Sequence, residues 1–294
     1  MFGLELWFIL AVLSAVFGGI FIFTTKVAAE RDYDIVLFST VALVWSALLM
    51  LSVVVYRGEY GGMSTMVLLM VAGNAIGYMW VNVLRHQALR CIDTAVYYPI
   101  YKTLTPALAI LGGLVFFLER FTAHEWVGLV LSLVVPLLLI THAEKARQKD
   151  LVRGLKLLVG AAVVAALSAG FVKAGSDLAD NTWLFIALTD VGVASVGILL
   201  LFYNNGKHPL KERIKTLQDT SFLWLAFWMG TLSAIGYTML VFAFKHGTLG
   251  IVYTINSLYI LIPIVLSIIY YHEHWNVRKV IAIVLSIAAL GLLK

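Results

Sequence analysis

Charge is what this 294-residue sequence has least of. Only 13% of its residues are Asp, Glu, Lys or Arg, about half the roughly 25% of a typical soluble domain, which excludes a chain with a fully water-facing surface. Cysteine is nearly missing as well. Cys91 stands alone, so no intrachain disulfide can form and no oxidising compartment is implied. No glycine loop for phosphate and no nucleotide-hydrolysis motif occurs, which leaves ATP-driven pumping without support. The run His272-Glu273-His274 fits no common zinc spacing and sits in a polar turn. No metal or other cofactor is therefore expected, and nothing points to nucleic acid as a partner.

What is present is apolar: 62% of the residues are hydrophobic and the mean hydropathy is +0.95. These residues come in runs of about twenty, the length that spans a bilayer core of about 30 Å. Barrel strands would be about ten residues long with alternating polarity, so the runs read as helices. The first, Leu6 to Thr25, follows Glu5 rather than a basic segment and heads a series, and so reads as a helix rather than a signal peptide. Breaks between runs give ten spans, near 5–26, 34–56, 64–86, 94–118, 123–141, 153–173, 183–203, 221–244, 248–271 and 275–293.

The halves of the chain repeat. Residues 116–133 read FFLERFTAHEWVGLVLSL and residues 270–287 read YYHEHWNVRKVIAIVLSI, so Glu119 and Glu273 precede the same Val-Leu-Ser triplet at the same distance. Upstream, Ala88-Leu89-Arg90 finds its counterpart in Ala243-Phe244-Lys245. Five spans per half is an odd number, so the halves would enter the membrane in opposite senses, the inverted repeat of many secondary transporters. The expected fold class is all-α integral membrane: a first repeat over 1–141, a basic linker over 142–152 and a second repeat over 153–294. With ten spans, fifteen of the Lys and Arg residues fall on one side and five on the other. The positive-inside rule then puts the richer side in the cytoplasm of an inner (plasma) membrane protein and both termini outside.

Three stretches carry a family resemblance: Gly19-Ile-Phe-Ile-Phe-Thr-Thr-Lys26, the set Ala88-Leu89-Arg90, Thr105-Pro106 and Leu118-Glu119-Arg120, and the run Gly128 to Leu133. In order and spacing they resemble the drug/metabolite transporter superfamily, specifically its ten-helix EamA-type members. The resemblance covers nearly the whole chain. It implies a carrier with a central cavity lined mainly by helices 1, 3, 4, 6, 8 and 9, whose relatives move amino acids, amines, nucleotide sugars, organic phosphates and drugs. It also implies termini in the cytoplasm, against the charge count, and no lysine where this chain has Lys102.

A charge inside a span costs several kcal/mol and marks a functional candidate. Lys102 lies in the middle third of span 4, with Tyr98 and Thr105 within about 60° of it on a helical wheel. Span 3 carries a matching stripe of Asn74, Tyr78, Asn82 and Arg85 over about 80°. Two polar stripes need a wet or hydrogen-bonded place, and a shared cavity supplies one. There Lys102 would grip a carboxylate or phosphate, with Asn82, Tyr98 and Arg85 or His86 completing the contact; alternatively it pairs with Asp190 or a helix-end carbonyl. Asp190 in span 7 reads as a coupling site for a proton or sodium ion, or as a carboxyl that snorkels, pairs with a lysine or hydrogen-bonds a neighbouring serine. Tyr237, Tyr253, Asn256, Ser257 and Tyr259 are the second half's candidates, Asn256 foremost, and Trp80 is the tryptophan deep enough to face a ligand. Lys26 and Lys173 end the first span of each half and would snorkel to the headgroups. Gly73 and Gly77 form a close-packing pattern.

The leading expectation is a secondary carrier of a small anionic or zwitterionic metabolite, embedded in lipid and not an enzyme. An exporter of organic cations using Asp190 and the aromatic residues is an alternative. A membrane enzyme or lipid-head-group protein is another, and would want an interfacial cluster that only His272 to His274 approaches.

Overall fold

A computed structural model describes residues 5–58, 60–92, 94–139, 150–203, 213, 215–271 and 276–294. Residues 142–149 of the central basic linker, with Lys145, Arg147 and Lys149, lie outside the described residues, as do Lys207, Lys211 and the His272-Glu273-His274 turn.

Every regular element among the described residues is helical: α1 (Leu6–Glu30), α2 (Ile35–Arg57), α3 (Thr65–Ala88), α4 (Thr94–Phe116), α5 (Ala123–Leu138), α6 (Leu151–Leu178), α7 (Thr182–Tyr203), α8 (Thr220–His246), α9 (Leu249–Ser257), α10 (Leu261–Tyr271) and α11 (Val277–Leu292). Among the described residues, eight rods have the length and apolarity to cross a membrane: α1, α2, α3, α4, α6, α7, α8 and the composite Leu249–Tyr270. The apolar helices α5 and α11 are shorter, with 16 residues each.

Local chemistry sets the boundaries. Asp34 accepts hydrogen bonds from the Val36 and Leu37 N–H groups at 3.0 and 3.3 Å, capping α2. Ser64, Asp150, Asp219 and Asn276 do the same for α3, α6, α8 and α11. Each satisfies an N–H that an α-helix start leaves unpaired. Glu125 reaches back to the Thr122 N–H at 2.6 Å, one arm of a capping box on α5.

The ninth expected span is not one helix. The 3-10 turn Leu258–Ile260 separates α9 from α10, just upstream of Pro263. Proline has no N–H for the Tyr259 carbonyl four residues back, and its ring crowds that carbonyl. The tighter i→i+3 bonding of a 3-10 turn accommodates the loss. The break points the Tyr259 side chain into the bundle.

Helix packing runs α3 on α6 and α1 on α8, α2 on α7 and on α8, α3 on α7, α4 on α6 and on α9, and α5 on α11. A Cβ on Gly77 would stand 3.1 Å from the Ser168 side chain, and one on Gly73 would stand 2.9 Å from Phe171. The Gly73–Gly77 pattern is therefore the α3–α6 close approach.

Both ends of the bundle are pinned by polar contacts. At one end, Arg213 bonds Asp34 at 3.2 Å and the Leu201 carbonyl at 3.0 Å, and the Tyr33 hydroxyl donates to Asp219 at 3.0 Å. At the other, Lys173 donates to the Phe244 carbonyl at 2.6 Å and to Asp177 at 2.9 Å. Lys245 there donates to Thr182 at 2.7 Å and to the Ala179 carbonyl at 3.2 Å. Lys26 donates to the buried Ser267 hydroxyl of α10 at 3.0 Å. Lys26 and Lys173 thus turn inward rather than snorkel, because carbonyl and hydroxyl acceptors stand within reach of their stems.

Candidate functional site

The α4 sequence Tyr97-Tyr98-Pro-Ile-Tyr101-Lys102 gathers three phenol rings and an ammonium on slightly more than one turn. Tyr97 is fully buried, stacks on Tyr101 at a centroid distance of 5.5 Å and meets Tyr98 edge-on at 5.3 Å. Lys102 donates a hydrogen bond to the Tyr259 hydroxyl from the break between α9 and α10. Its ammonium also lies 3.9 Å from the Tyr259 ring centroid and 5.7 Å from that of Tyr101, within the range of cation–π attraction. The contact ties α4 to a turn 157 positions away in sequence.

From α3, Arg85 comes to the same place. Its guanidinium donates to the Asn82 side-chain oxygen, and the Asn82 amide donates to the Tyr78 carbonyl at 2.7 Å. Tyr78, Tyr97, Tyr98 and Tyr101 all lie near Arg85, and Tyr98 and Arg85 lie near Lys102. Tyr253 of α9 adjoins Tyr101 and Tyr259. Two basic side chains thus stand near one another among phenol rings, a grouping we call the chamber. Among the described residues, neither Lys102 nor Arg85 has a carboxylate hydrogen-bond partner. The Tyr97 hydroxyl is buried and has no hydrogen-bond partner among the described residues.

Beside Arg85 a cavity of about 240 Å3 lies between α2, α3 and α7. Tyr78, Asn82, Arg85, His86 and Arg90 supply its polar wall, and Ile35, Leu43, Val83 and Leu200 its apolar one. Of the helices that the resemblance assigns to a cavity, α3 lines this one, together with α2 and α7.

Seven candidates, Lys102, Tyr98, Tyr253, Tyr259, Arg85, Asn82 and Tyr78, are brought together. The others are engaged elsewhere. Asn74, buried, accepts from Ser168 of α6 at 2.6 Å. Thr105, buried, donates to the Tyr101 carbonyl of its own helix at 2.8 Å. Asn256 donates to Ser14 of α1 at 2.8 Å. Trp80 is 49% exposed on the outer side of α3. Tyr237 approaches Asp190, which is buried in α7 and accepts from Ser46 of α2 at 2.7 Å. The sequence reasoning missed Tyr97, Tyr101 and Arg90. The first two could have been found, since they are spaced i, i+4 beside a lysine.

At the end away from the cavity, Glu119 caps α9. It accepts from the Leu249 N–H at 2.5 Å and from the Gly250 N–H at 3.1 Å. Leu118, with φ +51°, turns the chain to aim it there. Burial raises the Glu119 carboxyl above the usual glutamate range, against the two N–H bonds and nearby Lys173, which lower it.

Residues 152–293 match the family model described as EamA-like transporter family. A solved crystal structure shares the fold, with a TM-score of 0.72 at 13% identity over 95% of each chain. A comparison with curated proteins finds no match.

Proposed function

We propose that this chain, whose residues 152–293 match the EamA-like transporter family, is a secondary carrier that moves a small anionic or zwitterionic metabolite by alternating access. The observation that carries the reading is the chamber in which Lys102, held by Tyr259, and Arg85 stand among tyrosines without a carboxylate partner among the described residues. A desolvated cation is costly unless something compensates it. An anionic group entering the chamber would do so through charge-assisted hydrogen bonds.

The rocking units would be two inverted five-span halves, 1–141 and 153–294, joined by the basic linker 142–152. Packing supports this: exchanging each helix of the first half for its counterpart in the second maps the α3–α6 contact onto α8–α1, and α4–α6 onto the contacts of the composite rod with α1. The chamber lies where α4 meets the break in that rod, in line with sites built on discontinuous helices between repeats. The charge distribution would put the cavity end in the cytoplasm of an inner membrane and both termini outside. Asp190, joined to α2 through Ser46 and close to Tyr237 of α8, is the residue we assign to coupling, with a proton or sodium ion as its partner.

The test is uptake into proteoliposomes of labelled small carboxylates, phosphate monoesters, amino acids and amines. Accumulation or exchange of an anion or zwitterion, abolished in Lys102→Gln, is expected. Transport of amines alone, unchanged in Lys102→Gln, would overturn the proposal in favour of a cation exporter centred on Asp190.

A further inference from the structure

The helix faces that line the cavity run on beneath its floor to Asp190. Ser39 and Leu43 of α2 line the cavity and Ser46 follows them, all three within about 60° on the helix. On α7, Gly197 lines it and Asp190 stands seven residues before Gly197, within about 20° of the same direction. Tyr78 of α3 leads likewise to Ala75 and Val71. At about 1.5 Å per residue, Ser46 lies about 4.5 Å beyond Leu43, and Asp190 about 10 Å beyond Gly197. The walls between are small: a Cβ on Gly192 would stand 3.1 Å from the Ala75 side chain. We propose that the cavity is an access route for protons and that Asp190 is the site they bind, to the exclusion of sodium; this rests on the assignment of Asp190 to coupling. Uptake forms one O–H bond on a carboxylate oxygen with a proton from hydronium and releases water; loss runs the same transfer in reverse.

The surroundings suit a proton and not a metal cation. Asp190 is buried and accepts from Ser46 at 2.7 Å, and no Lys, Arg or His among the described residues pairs with it. A hard cation needs a shell of several oxygen ligands, which carriers supply by unwinding a helix and freeing its carbonyls. Here α2, α7 and α8 run unbroken through this level, so their carbonyls stay in helix hydrogen bonds. Thr189, next in sequence, directs its hydroxyl to the Phe185 carbonyl at 2.8 Å. From α8, Thr238 donates to Met50, one turn beyond Ser46, at 3.6 Å. Its neighbour Tyr237 has a buried hydroxyl with no hydrogen-bond partner among the described residues, able to donate to a carboxylate or accept from an acid. Two carboxylate oxygens and two hydroxyls satisfy a proton and leave sodium short of ligands. Tyr78, Arg85, His86 and Arg90, the titratable and charged groups of α3, stand at the cavity wall above. Deeper, α3 presents Ala75 and Val71 to Gly192, and α6 presents Gly175 to Phe185. A proton also cancels a charge that a membrane interior tolerates poorly.

The decisive experiment is infrared spectroscopy of the full chain in detergent, as the difference between wild type and Asp190→Asn from about pH 5 to about pH 9. The carbonyl band of a carboxylic acid should appear in the difference and give way to carboxylate bands as pH rises. The change should fall at the same pH in sodium chloride as in choline chloride. Transfer to D2O should shift the acid band, and Leu43→Trp, which fills the cavity floor, should slow that shift tenfold or more. Leu200→Trp serves the same purpose where Leu43→Trp does not fold. Displacement of the acid band by sodium at constant pH, or a band absent or unchanged across the whole range, would overturn the proton site. An unaltered rate in the filled variants would overturn the route through the cavity. Coupling is read separately, from uptake of labelled carboxylates and amino acids into proteoliposomes under a pH gradient. A titrating acid band with uptake indifferent both to the gradient and to Asp190→Asn would uphold the proton site and overturn the coupling role.

Discussion

Replacing Glu119 tests how the α4–α5 connection is held to α9 at the end away from the cavity. The carboxylate belongs to the α4–α5 connection, yet both hydrogen bonds it accepts come from the start of α9. Leu249 is 1% exposed and Gly250 is buried, so their N–H groups have no ready substitute partner. Glu119→Ala leaves two buried donors unpaired, each costing about 1–3 kcal/mol; partial entry of water places the sum at about 3 kcal/mol. At about 2 °C per kcal/mol for a chain of this size, the melting temperature in detergent should fall by roughly 6 °C. Glu119→Gln keeps an acceptor oxygen and removes a charge whose burial is unfavourable, so its loss should stay under about 1 kcal/mol. The pH dependence has a definite sign. A carboxyl raised by burial contributes stability that is fully present below the ordinary glutamate value of about 4.3 and is lost as pH rises through its folded value. The stability of the wild type relative to Glu119→Gln should therefore decline from pH 4 towards neutrality. Equal damage from alanine and glutamine, or a wild-type advantage that grows with pH, would refute the balance of burial over hydrogen bonding.

Lys102→Met should leave the melting temperature unchanged or slightly higher, since it removes a cation without a carboxylate partner among the described residues, while abolishing ligand-induced stabilisation of several degrees; a large drop without ligand would make the lysine structural. Ser46→Ala takes from Asp190 the hydroxyl that donates to it and should cost about 1–3 kcal/mol, with Ser46→Ala/Asp190→Leu recovering part of the loss in the same melting assay. Gly230→Val places a side chain against the Ala42 carbonyl and 3.0 Å from Trp45; about 1–3 kcal/mol of overpacking strain should appear as a lower melting temperature. A C-terminal reporter fluorescent only in the cytoplasm should stay dark, because the charge bias places that terminus outside; fluorescence would reverse the assigned orientation.

Helix extents were legible because caps and apolar runs are local signals. Asp34, Ser64, Asp150, Asp219 and Asn276 each stand at the residue where a helix begins. The break at Tyr259 was not legible. Proline does not decide such a break alone: α4 runs unbroken through Pro99 and Pro106, whereas the rod holding Pro263 yields, and the difference lies in tertiary surroundings. The wheel placed Asn74 on the same arc as Tyr78, Asn82 and Arg85, but a helix face meets different neighbours along its length. Near Asn74 the neighbour is α6; a turn or two later it is the open cavity. Thr105 shares the arc of Lys102, yet a buried threonine can satisfy itself on its own helix's carbonyl. Periodicity ranks faces; it does not say which polar group on a face is already spent.

The repeat also separates what is scaffold from what is chemistry. Glu119 and Glu273 stand 154 positions apart, and Ala88 and Ala243 stand 155 apart. At those spacings Lys102 falls opposite Asn256 or Ser257. Both are neutral, and both close hydrogen bonds within the bundle: Asn256 to Ser14, and Ser257 to the Thr254 carbonyl. The second half supplies its contribution one turn onward, as the Tyr259 phenol, and it can do so because Pro263 breaks the rod there. The charge is thus one-sided, since the positions opposite Lys102 carry none. Rocking of equivalent halves requires the helices to match, whereas recognition requires a ligand's charged end to be held in one orientation. In the proposed carrier the first demand would be met by the Glu and Val-Leu-Ser landmarks that recur along the sequence, and the second by Lys102 and Arg85, which have no charged counterpart at the repeat spacing.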